Sequence, residues 1–458
     1  MSLNALIRDD ELHTRTDAER AGERVLRPFH QFARWQASGA LLLLVCAVGA
    51  LLWANSPWTT SYEQMLHAPL RLSLGEWALQ LDLRLWINDG LMAIFFFSVG
   101  LEIKRELLVG ELADARKAML PIAAAIGGMV VPALIYAAFN VGGEGARGWG
   151  IPMATDIAFA LGALAVLGSR IPDGLKIFLV ALAIVDDLGA LLVIAVVYTA
   201  SINWSGIALA ALFLAALFVA NRAGARRAPI YLALGIGAWY GLLFSGVHAT
   251  LAGVLAALFV PARVKIVPDA LAGVIRRGAD AIDVHAAHGV RGAMEPERFE
   301  TSRVLSRTLD AANSTIQRFE HMVHPWVAFG IVPVFALFNA GVAIDASAIR
   351  TLAFPVPLGI MAGLVLGKPA GIFVATWLAV KAGLATLPEG VSWRHVCGTA
   401  WLAGIGFTMA LFISGLAFPG TGLESQAKLG ILLGSLMSAV VGIAILLTTR
   451  RDVETPPE

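Results

Sequence analysis

An adjacent pair of acidic residues is the feature of this chain best placed to do chemistry. Asp186 and Asp187 lie near the middle of an apolar stretch that runs from about residue 175 to 199. A charge at the centre of a bilayer costs about 2.5–3.5 kcal/mol, so each such residue needs a partner or a function. Neighbouring carboxylates in a medium of low dielectric constant influence each other's protonation. A buried pair that holds either protons or a cation is what an ion exchanger needs, and its depth disfavours a pair at a helix end.

A single lysine lies inside another apolar stretch. Lys368 is close to the middle of residues 356–378. A buried ammonium group must be paired or lose its proton, and from mid-span the side chain does not reach the membrane surface. Asp186 or Asp187 is the most economical partner.

A third buried charge accompanies a helix-breaking sequence. Asp156 follows Thr155, and Pro152 precedes both within the apolar stretch 149–166. This composition predicts an interrupted helix, and broken backbone at membrane depth is tolerated only inside protein or beside a wet cavity. The positive N-terminal end of a helix that restarts here would stabilise Asp156.

The late stretch 398–417 contains Gly404 and Gly406 and predicts a second break. Two interrupted helices in different halves of a membrane chain favour an inverted-repeat transporter whose site lies where they cross. The matching triplets would be the third to fifth and the tenth to twelfth spans, although no sequence identity between them is visible.

The composition identifies the medium in which these charges lie. Of 458 residues, 58% are hydrophobic and only 15% are charged, and the net charge of +1 suggests no nucleic-acid partner. Since a bilayer-spanning helix needs about 20 apolar residues, we predict an all-α polytopic membrane protein with twelve spans. They are 37–54, 86–108, 119–139, 149–166, 175–199, 205–221, 229–245, 247–261, 323–342, 356–378, 398–417 and 427–448.

The basic residues of the connections predict the orientation, because Lys and Arg in short loops mark the cytoplasmic side. Connections after even-numbered spans are rich in them, and connections after odd-numbered spans are poor. Both termini are therefore predicted to be cytoplasmic. The resulting segments are a cytoplasmic N-terminal segment 1–36, spans 37–261, a cytoplasmic insertion 262–318, spans 319–448 and a cytoplasmic tail 449–458.

Two of the connections between spans contain sequence features of their own, a predicted β-hairpin and a polar insertion. Residues 68–84 alternate apolar and polar side chains around Gly75, which predicts an external β-hairpin. Its apolar face could contact a second copy in a homodimer or lie on its own protein or the membrane. The polar insertion carries His285 and His288, for which a solvated helix face is favoured over a metal pair.

The strings around these charges closely resemble the NhaA family of bacterial sodium/proton antiporters. The strings occur in the same order as in the family, over about residues 37–448. Some are weak alone, but taken together they are specific for this family. The strings are Trp86-Ile87-Asn88-Asp89-Gly90-Leu91-Met92, Gly100-Leu101-Glu102-Ile103-Lys104-Arg105-Glu106-Leu107, Ala154-Thr155-Asp156-Ile157-Ala158-Phe159, Val185-Asp186-Asp187-Leu188-Gly189, Ser245-Gly246-Val247-His248-Ala249-Thr250, His324-Pro325-Trp326, Gly367-Lys368-Pro369 and Gly404-Ile405-Gly406-Phe407-Thr408.

The resemblance implies roles for the buried charges. Asp187 would be the principal sodium or lithium ligand and the proton carrier, and Asp186 would be its partner and bond Lys368 in one state. Thr155 and Asp156 would line the site, and Asp156 and Lys368 would offset exposed helix ends. No cofactor is implied beyond the transported sodium or lithium and protons.

The resemblance also implies electrogenic, pH-regulated exchange for sodium and pH homeostasis across the bacterial cytoplasmic (inner) membrane. The residues assigned to the pH response are Glu102, Arg105, Glu106, His248, Arg318 and Glu320. An ordinary ion-pair network at a helix end is the alternative for Glu102, Arg105 and Glu106. The insertion at 262–318, and Gln317 where the family pattern has lysine, depart from that pattern in this region.

Three other functions were weighed. Exchange of another cation such as potassium is the closest alternative. An intramembrane aspartyl protease places its two aspartates on different helices and carries a Gly-x-Gly-Asp string, which is absent here. A passive channel needs a continuous polar pore, which a single mid-membrane charge cluster does not supply.

Overall fold

The computed structural model describes residues 38–75, 77–199, 201–262 and 314–449. These residues are mostly helical, with one two-stranded sheet. The described residues do not include the predicted segment 1–36, the predicted tail 449–458 apart from Thr449, or most of the insertion with His285 and His288.

The first half of the chain begins with a bent helix pair. α1 (Ser38–Ala54) and α2 (Thr59–Leu66) meet at 115°. The predicted hairpin follows and is confirmed as β1 (Pro69–Leu74) and β2 (Trp77–Asp82), paired antiparallel from Pro69 with Asp82 to Leu74 with Trp77. Gly75 in the turn has a φ of 61°, which glycine adopts without steric cost.

The remaining helices continue in chain order to residue 447. They are α3 (Leu83–Val109), α4 (Ala115–Asn140), the 3₁₀ helix Glu144–Met153, α5 (Ile157–Leu167), α6 (Asp173–Val197), α7 (Trp204–Arg222), α8 (Ala228–Leu243), α9 (Leu251–Leu258), α10 (Thr315–Asn339), α11 (Ala346–Thr351), α12 (Pro355–Lys381), α13 (Trp393–Ala403), α14 (Phe407–Ala417) and α15 (Gly422–Leu447). Three of them contain a π turn, at Trp86–Leu91, Val327–Ile331 and Gly363–Gly367.

Eight of the described helices are long and apolar enough to cross a membrane, or ten if each bent pair is one span. The twelve predicted spans therefore stay a prediction. The predicted span 247–261 contains only the eight-residue α9, which is about 12 Å long against a bilayer core of about 30 Å.

The predicted start of the ninth span also differs from the structure. α10 begins at Thr315, within residues assigned to the insertion, because Ser314 and Gln317 form a reciprocal capping box. Arg318 and Glu320 thus belong to the first turns of a membrane helix.

The helices pack in two groups. In the first, α9 and α10 pack on α3, and α8 packs on α7 and α9. In the second, α4 packs along α12 and contacts α6, while α15 packs on α12, α13 and α14. The crossing of α4 and α12 is close because a Cβ atom at Gly127 would collide with the backbone carbonyl of Gly371. Small residues let membrane helices approach in this way.

One ion cluster joins the two groups. Arg84, at the start of α3, pairs with Glu424 at the start of α15, and Lys428 Nζ lies 3.1 Å from the same Oε1 atom. Glu424 is 5% exposed. Within the described ranges, this is the only ion pair between the groups.

Glu424→Gln should lower the apparent melting temperature of the detergent-solubilised protein. The change leaves two cations without their shared carboxylate, and breaking a buried pair costs roughly 3 kcal/mol. The exposed Glu63→Gln variant serves as the control. Equal thermal stability of the two variants would contradict a stabilising role for the cluster.

Candidate functional site

The two predicted helix breaks are present, and they touch. The 3₁₀ helix ends at Met153, and α5 begins at Ile157 after a stretch of extended backbone. α13 and α14 bend by 41° across the second break. Asp156 N–H donates to Ile405 O at 2.6 Å, so backbone groups that one break leaves free are paired by the other.

Asp156 covers the N-terminal ends of two helices at once. Its Oδ1 accepts from the backbone N–H of Phe159 in α5 at 3.1 Å. Its Oδ2 accepts from the backbone N–H of Thr408 in α14 at 3.0 Å and from the Thr408 hydroxyl. A carboxylate there satisfies free N–H groups and interacts favourably with the positive helix ends.

The C-terminal ends at the breaks are covered by donors. Lys368 is fully buried, and its Nζ donates to the carbonyl of Met153, the last residue of the 3₁₀ helix. The Thr155 hydroxyl lies 3.0 Å from Ala403 O, at the end of α13, and its single proton can be donated either to this carbonyl or to Asp186. Carbonyls at a helix C-terminus carry partial negative charge, which a cation or a hydroxyl donor offsets.

These same donors engage one residue of the acidic pair. Lys368 Nζ lies 2.5 Å from Asp186 Oδ2, and Thr155 Oγ1 lies 2.5 Å from the same atom. Of the two partners that the sequence offered Lys368, the structure selects Asp186. Its other oxygen, Oδ1, is buried and has no hydrogen-bond partner among the described residues.

Asp187 is buried in a different way. The residue is 4% exposed, and nothing in the described part of the chain forms a hydrogen bond or an ion pair with its carboxylate. The acidic pair is therefore unequal in the structure. One carboxylate is held by a lysine and a hydroxyl, and its neighbour on α6 keeps its lone pairs available for a proton or a cation that prefers oxygen ligands.

Four of the six residues assigned to the pH response come together. Arg105 lies 3.0 Å from Glu106 and 3.4 Å from Glu320, which links the end of α3 to the start of α10. Glu102 is one turn before Arg105 and Glu106 on α3.

The other two lie apart from that cluster. Arg318 is exposed on α10. His248 lies in the turn before α9, with its Nε2 3.0 Å from the carbonyl of Tyr198 at the end of α6. These positions leave the role of all six residues a prediction.

The structure also adds residues to the site that were not predicted. Thr408 binds Asp156, and the Ser435 hydroxyl of α15 accepts from Gly406 N and Phe407 N, each at 3.2 Å. Ser435 therefore covers the first N–H groups of α14. A serine inside an apolar helix is a signal for a contact between helices, but not for which contact.

Two crossed broken helices that enclose buried charges define the class as a secondary ion transporter. Comparison with known proteins is more specific. The family model described as Na+/H+ antiporter 1 matches residues 30–446. The chain belongs to this sodium/proton antiporter family and is a multi-pass membrane protein.

The chain is similar to curated bacterial proteins over nearly its whole length. It is 48% identical over 432 residues to the Na(+)/H(+) antiporter NhaA of Oleidesulfovibrio alaskensis, which covers 94% of this chain and 96% of that protein. It is 46% identical over 436 residues to NhaA 2 of Sorangium cellulosum, with 93% and 91% covered. It is 47% identical over 436 residues to NhaA of Acidithiobacillus ferrooxidans, with 93% and 98% covered.

Asp156→Ala should destabilise the crossing more than Thr408→Val. The alanine leaves N–H groups of both α5 and α14 without an acceptor, whereas the valine removes one hydroxyl and keeps the backbone bond. We expect a loss of about 1 kcal/mol for Thr408→Val and at least twice that for Asp156→Ala. Thermal unfolding in detergent measures both, and the reverse order would contradict this account of the breaks.

Proposed function

We propose that this chain exchanges internal sodium for external protons across the bacterial inner membrane, with Asp187 as the residue that carries the exchanged ion. One observation carries the proposal. Asp186 is paired with Lys368 and Thr155, whereas the equally buried Asp187 has no such partner among the described residues. A buried carboxylate without a protein partner needs a ligand, and a proton and Na⁺ are alternative ligands.

Sodium binding would use the oxygen atoms that the protein leaves free. Those are the two oxygens of Asp187 and Oδ1 of Asp186, which has no hydrogen-bond partner in the described structure. Hard cations prefer carboxylate, carbonyl and water oxygens. Lithium fits the same ligands. Protonation of Asp187 removes its charge and releases the cation, so proton and sodium occupancy exclude each other.

The Lys368–Asp186 pair supplies the second exchangeable charge. A cation beside Asp186 repels the ammonium group of Lys368, because both would share one carboxylate. The site then has two titratable units, Asp187 and the Lys368–Asp186 pair. Movement of more than one proton per sodium makes the exchange electrogenic.

The scaffold for this cycle is an inverted-repeat transporter of twelve spans with both termini in the cytoplasm. The two helix groups move relative to each other and open the site to one face at a time. Facing the cytoplasm, Asp187 and the Lys368–Asp186 pair release their protons, and Asp187 takes sodium. Facing the more acidic outside, protons displace sodium, which is expelled for sodium and pH homeostasis.

Two further features of the chain belong to this proposal. We assign proton-dependent activation of the site to the cluster of Arg105, Glu106 and Glu320, with Glu102 one turn before it on α3. The hairpin of β1 and β2 carries the exposed side chains of Leu70 and Leu72. We assign this hairpin to the contact of a homodimer.

Asp187→Asn should abolish sodium-dependent proton flux in sealed proteoliposomes, because the amide carries no charge to exchange. Asp186→Asn should keep a reduced flux, since the cation would still meet Asp187. The control is Asp173→Asn at the start of α6, where the carboxylate is partly exposed to solvent and pairs with Lys176. Normal exchange by Asp187→Asn would show that this carboxylate does not carry the ion.

Cation selectivity separates sodium exchange from the alternative of potassium exchange. Sodium and lithium should each drive a strong proton flux, and potassium only a weak one. The reason is that a site of two carboxylates favours the smaller ions, which have a higher charge density. The assay is proton flux against the three chlorides over a pH series. Flux with potassium equal to that with sodium would favour the alternative.

A further inference from the structure

The backbone directly before Lys368 has a carbonyl group without a helical donor. In an α-helix the Lys368 N–H would bond Leu364 O, but the π turn Gly363–Gly367 directs it to Gly363 O instead. The next donor along the helix would be residue 369, which is a proline and has no N–H. Leu364 O therefore loses both donors that a helix could supply.

A side chain from another helix fills this gap. Ser438 Oγ, on α15, donates to Leu364 O at 3.2 Å. Both residues are fully buried, so no water at the protein surface replaces the hydroxyl. At membrane depth an unpaired carbonyl is costly, which makes this single hydrogen bond important for keeping the π turn.

The chain approaches this bond closely at two glycine positions. A Cβ atom at Gly404 would lie 2.6 Å from Leu364 O and 2.8 Å from Ser438 Oγ. A Cβ atom at Gly434 would lie 3.2 Å from Leu364 Cδ1. α15 therefore approaches both the π turn and the helix break through glycine positions.

The π turn decides where the ammonium group of Lys368 points. Each residue advances a helix by about 100°, so the extra residue of a π turn changes the direction of the side chain that follows it. In the observed register Lys368 reaches Asp186 Oδ2 and Met153 O. Return to an α-helical register would turn the side chain away from these acceptors.

We propose that Ser438 is a positioning residue for Lys368, because its hydroxyl satisfies the carbonyl that the π turn and Pro369 leave free and so holds the register that aims Lys368 at Asp186. The hydrogen bond and its effect on the direction of Lys368 do not depend on the proposed function. Only the expected effect on sodium/proton exchange rests on it. Ser435, one turn earlier on α15, has the different task of covering the N–H groups of α14.

A thermal double-mutant cycle tests the proposal without a transport assay. Ser438 does not bond Asp186, so any coupling between them is indirect, and the proposal expects it to pass through Lys368, which follows the π turn and bonds Asp186. We expect Ser438→Ala to lower the apparent melting temperature by about 2 °C or more in the otherwise unchanged protein, and by half of that or less in an Asp186→Asn background. Equal losses in the two backgrounds would show a merely structural hydroxyl and overturn the proposal.

Exchange activity tests the functional consequence. Ser438→Ala should shift the pH of half-maximal sodium/proton exchange by about half a unit or more, since the loss of one hydrogen bond weakens the Lys368–Asp186 pair. Ser438→Thr keeps the hydroxyl and should restore the profile. The control is Ser414→Ala, a buried serine whose hydroxyl bonds only Leu411 O of its own helix.

The outcomes separate this inference from the proposed function. An unchanged profile in Ser438→Ala, or an equal shift in Ser414→Ala, overturns the positioning role while exchange at Asp187 stands. Loss of sodium dependence in the unmodified protein refutes the proposed function and leaves the thermal cycle interpretable. If Ser438→Ala does not accumulate in the membrane, Ser438→Cys replaces it, because a thiol is a weaker donor than a hydroxyl. Its loss of melting temperature should be smaller but should depend on Asp186 in the same way.

Discussion

The burial of the Lys368 ammonium group is the constraint on which the rest of the site depends. No part of this residue reaches the surface of the described structure, so its charge must be met inside the protein. Asp186 supplies the counter-charge, and Met153 O supplies a helix-end carbonyl. Because one lysine serves both a carboxylate and a broken helix, the charge of the site and the geometry of the break are coupled.

The two interrupted helices satisfy each other's free backbone groups. Asp156 accepts from α5 and α14, the Thr155 hydroxyl lies 3.0 Å from the carbonyl of Ala403 at the end of α13, and the backbone N–H of Asp156 donates to Ile405 O. A break at membrane depth persists only when every freed group finds a partner, and here partners come from the opposite break. A change in one helix therefore changes the partners of the other, which gives this crossing a physical route to couple ion binding to movement.

The arrangement explains why two adjacent aspartates differ. They share the same depth and the same helix, but successive residues of a helix point about 100° apart. Asp186 faces Lys368 and Thr155, and these donors take one of its oxygens. Asp187 faces a region where nothing described donates to it. The two aspartates differ in their partners because their side chains point in different directions from α6, and not because of their residue type.

The amino-acid sequence by itself was sufficient for the class of protein, the β-hairpin, the two breaks and the four buried charges of the site, but it did not indicate that Glu424 and Lys428 are buried too. These follow from local rules, since apolar length, strand alternation, proline and glycine act over a few residues. The sequence was less reliable for the limits of spans, as the short α9 and the early start of α10 show, because a cap or a turn can override apolar length.

Only the tertiary structure decided the partners. Nothing local distinguishes Asp186 from Asp187 as the partner of Lys368, or indicates that Ser438 bonds Leu364 while Ser435 covers α14. Those choices depend on how separate helices cross and on which direction each side chain takes, and the chain positions involved are up to 182 residues apart. The sequence determined which groups had to be satisfied, and the packing of the helices decided which group satisfies which.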